Sequence, residues 1–153
     1  YGDATDALRL AEAIGVARQE RPLQRTSELV EVIMRTVHPE KSDTRWRLRP
    51  APNRWSLHPA ARTFQALRIL VNRELANLEQ LLRVLPDVLK PGGRAVLISF
   101  HSGEDRLVKG AFRRGLRAGI YREIAEEPMR PCFAERQANP RSRSAKLRWA
   151  RRR

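Results

Sequence analysis

The sequence predicts an α/β fold, and three consecutive features in the second half of the chain lead to that prediction. Between residues 64 and 85, apolar side chains recur every three or four positions, as they do along one face of a long helix. A Pro-Gly-Gly turn follows, and residues 95–100 then form an apolar run that suits a buried strand. A further helix is expected over residues 104–118. Helix, turn, strand and helix in this order make up half of a doubly wound α/β unit.

Shorter predicted elements flank this unit. Residues 3–19 and 26–37 each show the apolar spacing of a helix. Residues 40–57 contain two prolines, two tryptophans and no regular period, so we expect a loop there. Residues 121–126 and 144–150 are predicted strands. The proline-rich connector between them favours an antiparallel pair at a sheet edge.

The charge of the chain indicates a polyanionic partner. Lys and Arg number 31 against 17 Asp and Glu, which gives a formal net charge of +14, and residues 141–153 contain seven basic residues and no acid. Nucleic acid is the simplest partner for such a chain. Arginine outnumbers lysine, and its planar guanidinium suits phosphate recognition. A short basic run can also be only a solubilising tail, and the composition leaves both readings open.

The cysteine and histidine content and the hydropathy argue against a disulfide-bonded, a zinc-binding and a membrane-spanning protein. Cys132 is the only cysteine, so an internal disulfide is impossible and a reducing, cytoplasmic location is expected. Cys132, His38, His58 and His101 are far apart and fit no zinc spacing, so no metal site is predicted. No apolar run approaches the length of a membrane span, so no membrane partner is expected.

A polar cluster directly follows the apolar strand, and it comprises His101, Ser102, Glu104 and Asp105. Because α/β proteins bind ligands at the carboxyl ends of their strands, these four are the candidate catalytic residues. Each also has a structural interpretation. His101 could simply end the strand, Ser102 could cap the next helix, and two acids suit a helix N-terminus. Spacing alone does not choose between these roles.

Three separated blocks together resemble one family. They are "HPAARTFQALRILVNREL" (58–75), "LKPGGRAVLISFHSGEDRLVK" (89–109) and "NPRSRSAKLRWARR" (139–152). Their sequence and order are similar to the bacterial 16S rRNA cytosine-N4 methyltransferases, the RsmH or MraW family. The opening residues also resemble the inserted helical domain of that family. The resemblance covers nearly the whole chain except residues 40–57, which look like an insertion.

The resemblance implies the C-terminal part of a class I, Rossmann-like, S-adenosylmethionine-dependent methyltransferase. Residues 1–57 would be a remnant of the inserted helical domain, with a loop insertion at 40–57. Residues 58–153 would be the C-terminal half of the methyltransferase domain. The strand at 95–100 would be the fifth of the sheet, and the two later strands its antiparallel terminal pair. The parent protein would transfer a methyl group from S-adenosylmethionine to N4 of a cytidine in the decoding centre of 16S rRNA.

Several motifs of that family have no counterpart in this chain. They are its glycine-rich donor loop, the acidic residue for the donor ribose and a D-L-G-x-S-S-type segment, which all precede the part that matches. The donor is therefore expected to bind mainly to a missing N-terminal part, and the 153 residues alone are expected to be inactive. Gly103 is a further departure, since the family usually has leucine there.

Two groups of residues are the predicted RNA contacts, with small-subunit ribosomal RNA or the subunit as partner. One lies on the polar side of the third helix: Arg62, Gln65, Arg68 and Asn72. The other is the basic C-terminal group: Arg141, Arg143, Lys146 and Arg148. An unpaired apolar strand at 95–100 would also recruit other chains, so the isolated piece is expected to aggregate or form a homodimer.

A second functional class is compatible with the same residues. A non-catalytic RNA-binding or ribosome-associated protein, derived from this fold after loss of the donor site, would show the same charge and lack the same motifs. A DNA-binding protein ranks third, because no recognisable DNA-reading motif is present.

Overall fold

The computed structural model describes residues 6–38 and 58–153, so the predicted loop at 40–57 lies outside the described residues. The chain divides into two compact units, Tyr1–Asn72 and Arg73–Arg153. Across the described ranges, no helix combines enough length with enough apolar character to cross a lipid bilayer.

The first unit contains three helices, α1 (Ala7–Glu20), α2 (Thr26–Val37) and α3 (Ala61–Val71). Their apolar faces meet in a cluster formed by Leu10, Ile33 and Ala60, with Leu29, Val30, Val37 and Phe64 packed against it. Because Phe64 of α3 packs into this cluster, the unit extends to Asn72, beyond the domain boundary expected after residue 57. The helix predicted at 26–37 is confirmed, and so is that predicted at 3–19 from Ala7 onward, residues 3–5 lying outside the described residues.

The single helix predicted over residues 64–85 is wrong, because the chain forms two helices there. Helix α3 ends at Val71, and α4 spans Glu74–Val88. Between them Arg73 adopts the left-handed conformation, with φ 54° and ψ 34°. Val71, which the predicted apolar stripe would bury, is 77% exposed. The apolar spacing continues across the break without glycine or proline to mark it, so the period alone suggested one helix.

The second unit continues with β1 (Arg94–Ser99), α5 (Ser102–Arg117), β2 (Tyr121–Ile124), α6 (Phe133–Ala138), a 3₁₀ turn (Pro140–Ser144) and β3 (Lys146–Arg152). The strands form a sheet in the order β1-β3-β2, and β3 is antiparallel to both neighbours. The α/β class and the antiparallel terminal pair are thus confirmed. Helix α6 lies within the proline-rich connector, where no helix was predicted.

One face of the sheet packs on the helices. The core consists of Leu85, Ala95, Val108, Phe112, Tyr121 and Ala150. The rings of Phe112 and Tyr121 meet edge to face at 5.6 Å. Gly115 permits this packing, because a Cβ there would lie 2.4 Å from the Tyr121 ring.

The Pro-Gly-Gly turn before β1 is anchored to β3. Gly92 has a positive φ of 75°, as such a turn requires, and its N–H donates to the carbonyl of Arg152 at 3.2 Å. The N–H of Arg152 in turn donates to the carbonyl of Gly93 at 2.8 Å. These bonds fix the start of β1, and therefore the position at which its carboxyl end emerges.

Candidate functional site

The loop after β1 is held by a reciprocal helix cap. His101 is the N-cap residue of α5, and its Nδ1 accepts a hydrogen bond from the N–H of Glu104 at 3.3 Å. Oε2 of Glu104 accepts from the N–H groups of Phe100 at 2.8 Å and His101 at 3.3 Å. The sequence suggested Ser102 as the cap, but Ser102 is the exposed first residue of the helix. Both His101 and Glu104 thus satisfy backbone groups that a helix start leaves unpaired.

A third residue, Glu74 at the start of α4, lies close to His101 and Glu104, and the three form a strand-end cluster. A carboxylate oxygen of Glu74, a ring nitrogen of His101 and a carboxylate oxygen of Glu104 lie within 4.8 Å of one another. Nε2 of His101 is buried 3.2 Å from Oε1 of Glu104, in a geometry that does not form a hydrogen bond. Sequence reasoning missed Glu74, because its position depends on the break at Arg73.

The cluster does not suit a metal ion as it stands, although its spacing would allow one. Nδ1 of His101 uses its lone pair to accept the Glu104 N–H, so the ring proton resides on Nε2 in the neutral imidazole. A protonated Nε2 has no lone pair for a cation. The arrangement instead leaves a buried Nε2–H group beside the carboxylate of Glu104, at 3.2 Å from its Oε1.

Asp105, the next residue along α5, forms ion pairs with two basic residues of β3, Arg148 and Lys146. Oδ1 accepts from Nε of Arg148 at 2.8 Å, and Oδ2 lies 3.3 Å from Nζ of Lys146. Burial raises the pKa of the Asp105 carboxyl, but the hydrogen bonds and charges of Arg148 and Lys146 outweigh this effect and hold that pKa below its usual value. Asp105 is therefore ionised and bound to β3.

Arg148 is buried, and this removes it from the predicted phosphate contacts. Its side chain is 3% exposed. Besides Asp105, the guanidinium donates to the carbonyl oxygens of Ala125 at 3.3 Å and Glu126 at 2.9 Å. Lys146, predicted as a second phosphate ligand, is also turned to Asp105 and is mostly buried. Both side chains join the start of α5 to β3, because the carboxylate of Asp105 lies between the two elements.

The other two residues of the basic C-terminal group are exposed on a hydrogen-bonded turn. Arg141 and Arg143 lie in the 3₁₀ segment that precedes β3. Oδ1 of Asn139 accepts from the N–H of Arg141 at 3.2 Å, and Oγ of Ser142 donates to the Asn139 carbonyl at 2.8 Å. These local bonds shape the turn and leave both arginine side chains at the surface.

The predicted RNA contacts of the third helix belong to the first unit. Arg62 and Arg68 are exposed on α3, Gln65 is half-buried, and Asn72 is the exposed C-cap residue. The strand-end cluster and the turn with Arg141 belong to the second unit. The structure thus brings His101 and Glu104 together with Glu74, and pairs Asp105 with Lys146 and Arg148.

A groove of about 620 Å³ lies between α4 and α5. Its lining is largely apolar, with Leu82, Pro86, Leu107 and Ala111 among its residues. None of the strand-end residues lines this groove, and none of the predicted site residues contributes to it.

Comparisons with known proteins give a consistent result. A family model described as "MraW methylase family" matches residues 1–153. Three similar proteins each carry the name "Ribosomal RNA small subunit methyltransferase H". The chain is 49% identical over 150 residues to that of Synechococcus sp. (strain JA-2-3B'a(2-13)), 46% over 153 residues to that of Rhodopirellula baltica and 43% over 150 residues to that of Acidobacterium capsulatum.

These relatives are considerably longer than the chain. The matches cover 98%, 99% and 98% of this chain, but 42%, 42% and 46% of the respective relatives. The chain thus spans less than half the length of the curated relatives it matches, and corresponds to their C-terminal portion.

Proposed function

Because the chain belongs to the MraW methylase family, we propose that it is the C-terminal portion of an S-adenosylmethionine-dependent enzyme that methylates N4 of a cytidine in the decoding centre of 16S rRNA. The observation that carries the proposal is the family match over residues 1–153. The polar cluster at the carboxyl end of β1 supports it, since α/β enzymes place their sites at such strand ends. A cytoplasmic location follows from the proposed substrate.

The sheet supports a class I methyltransferase domain that continues beyond β1. The two sheet edges differ in character. The β2 edge has a register shift and exposed charged residues, Arg122 and Glu123, which are features that protect a terminal edge. Val96 and Ile98 on β1, and Phe100 directly after it, are each more than half exposed. We propose that the N-terminal portion of the enzyme pairs with β1 and covers this apolar face, and that the first unit is the inserted helical domain.

We propose that the described residues do not form a donor site by themselves. No described residues form a strand, glycine-rich turn and helix of the kind that holds the donor. Oε2 of Glu104 serves the helix cap, and Asp105 is paired with Arg148, so neither is placed to bind a ribose. The donor is therefore assigned to the N-terminal portion. This chain would contribute the shaped loop after β1 and a basic surface for the RNA.

A chimaeric protein tests the methyl transfer. In it, this chain replaces the matched C-terminal portion of the Synechococcus relative, with the intact relative as positive control. Small ribosomal subunits that lack the modification and radiolabelled S-adenosylmethionine serve as substrates. We expect label on N4 of a cytidine. A folded chimaera that binds donor and subunits but transfers no label would overturn the proposal, and label on another base would contradict the assigned target.

The same experiment separates the enzyme from the second candidate, a non-catalytic RNA-binding protein. The engagement of Glu104 and Asp105 in structural contacts is the observation that favours this candidate. An inactive chimaera that still binds the subunit with the affinity of the intact relative would support it.

The salt dependence of RNA binding tests the proposed basic surface. Replacing Arg141 and Arg143 with Ala should weaken binding of the chain to 16S rRNA. It should also reduce the log–log slope of affinity against salt by about one unit per lost phosphate contact. Arg9→Ala combined with Arg18→Ala, a double change of equal charge at exposed sites on α1, is the control for net charge. An unchanged slope in the double variant would remove this turn from the interface.

A further inference from the structure

We propose that Gly103 is a positioning residue for His101. By lacking a Cβ, it lets the imidazole lie over the first turn of α5, where the ring caps the helix and approaches Glu74 and Glu104. This inference deepens the proposed function, because it concerns the same strand-end cluster. It is nevertheless a statement about the free chain and can be tested without methyl transfer.

The space around Gly103 carries the proposal. A Cβ added there would lie 3.1 Å from Nδ1 and 3.2 Å from Cε1 of His101, closer than nine in ten Cβ contacts. It would also lie 4.0 Å from Cδ2 of Leu75 on α4. A side chain at residue 103 would therefore press on the imidazole from within the helix.

Backbone conformation does not explain a glycine at this position. Among the described glycines, positive φ occurs at Gly92 and Gly119, and Gly103 has ordinary helical geometry. Glycine is unfavourable inside a helix compared with alanine, because it loses more conformational freedom on folding. The missing Cβ of Gly103 therefore leaves space at the first turn of α5, and the His101 ring occupies that space.

A small displacement of the ring would be enough to open the cap. The bond from the Glu104 N–H to Nδ1 is already long, at 3.3 Å. A shift of a few tenths of an ångström would break it and release the ring from Glu104. With Gly103 in place, one ring nitrogen serves the cap and the other is buried, so His101 orders the loop and offers neither nitrogen to solvent.

A double-mutant cycle tests the coupling. Gly103→Ala is introduced into the natural chain and into a His101→Asn variant, because asparagine is a good N-cap residue without a ring. In both backgrounds the substitution gains helix propensity, but in the natural chain it should also lose one ordinary hydrogen bond, so its effect on the unfolding equilibrium constant should be about fivefold less favourable there. In the His101→Asn background this loss should vanish, and the gain in helix propensity should remain.

Gly110→Ala is the matched control on the same helix. A Cβ at residue 110 meets only the flexible end of Arg114, at 3.3 Å. Its effect on unfolding should be the same in both backgrounds. An equal effect of Gly103→Ala in both backgrounds would overturn the proposal.

A spectroscopic measurement reports the ring itself. The chain has three histidines, so long-range ¹H–¹⁵N spectra are readily assigned with the His101→Asn variant. In its neutral form, His101 should show the Nε2–H tautomer, because Nδ1 accepts the Glu104 N–H. Gly103→Ala should shift its signals toward a mixture of tautomers, and Gly110→Ala should not. Unchanged His101 signals in the Gly103→Ala variant would also overturn the proposal, whatever the outcome of the methyl-transfer assay.

Discussion

At the residue scale, two neighbouring acidic residues of α5 make separate structural contacts. Glu104 caps its own helix, and Asp105 pairs with Arg148 and Lys146 of β3. The bond between Asp105 and Arg148 joins residues that are 43 positions apart. The start of α5 is therefore fixed both by local bonds and by the sheet, which holds the loop after β1 in one conformation.

Replacing the buried guanidinium should be strongly destabilising. Arg148→Met would leave Asp105 with Lys146 alone and remove the donors to the carbonyls of Ala125 and Glu126. We expect a loss of about 3 kcal/mol in the free energy of unfolding, as for other broken buried pairs. Urea denaturation measures it, with the exposed Arg141→Met as control, which should change stability by less than about 0.5 kcal/mol. Equal losses in both variants would contradict the role of the pair.

The ion pair also predicts a pH dependence of stability. Because the pKa of Asp105 is lowered in the folded chain, its contribution is present above the unfolded value of about 4 and is lost as the pH falls through the folded value. The difference in unfolding free energy between the natural chain and Asp105→Asn should thus be largest near neutral pH and shrink below about pH 4. The exposed Asp87→Asn is the control. A difference that stays constant down to pH 3 would argue against this assignment.

At the scale of elements, the break between α3 and α4 decides where Glu74 lies. Arg73 is the only described non-glycine residue with positive φ, and the helix that follows it begins with Glu74. Since left-handed backbone is unfavourable for residues with a Cβ, the surrounding packing must hold Arg73 in this conformation. The break separates the last helix of the first unit from the first helix of the second.

Glycine at the break should be tolerated better than arginine. Arg73→Gly relieves the left-handed strain of about 1–2 kcal/mol, and the greater freedom of glycine in the unfolded chain offsets part of it. We expect a net stabilisation of about 0.5–1 kcal/mol, measured as a higher melting temperature. Ala76→Gly within α4 is the control and should destabilise by about 0.5–1 kcal/mol. If both substitutions destabilise, the left-handed conformation of Arg73 is wrong.

At the scale of the whole molecule, the sheet of the second unit is covered on one side. Val96 and Ile98 of β1 are 56% and 57% exposed on the other face, next to Trp149 and Leu147 of β3 in the strand register. This face and the edge of β1 that pairs with no described strand together form an apolar surface. Such a surface recruits other chains when nothing covers it.

The 153-residue chain should therefore self-associate. We expect light scattering at physiological salt to show dimers or larger species, despite the net charge of +14. Replacing Val96 and Ile98 together with Lys should yield a monomer. Val88→Lys, at a 70% exposed position near the end of α4, is the control and should not. A natural chain that remains monomeric at high concentration would contradict the open edge at β1.

The sequence by itself determined most of the local elements and the family, but neither the break at Arg73 nor helix α6. A continuous apolar run and the Pro-Gly-Gly turn placed β1, and the polar residues after it indicated a candidate site at its end. These signals come from residues that are close in the chain, so spacing reveals them. The blocks around His58, Gly92 and Arg141 sufficed to recognise the family that the match over residues 1–153 shows.

Tertiary structure alone decided which partners the polar residues have. It placed β3 between β1 and β2, turned Arg148 inward to Asp105, and brought Glu74 from α4 to His101. The period of a sequence reports which faces are buried, but it does not specify which distant groups meet there. For that reason Arg148, which the sequence suggests as a phosphate ligand, is a buried ion-pair partner of Asp105 in the folded chain.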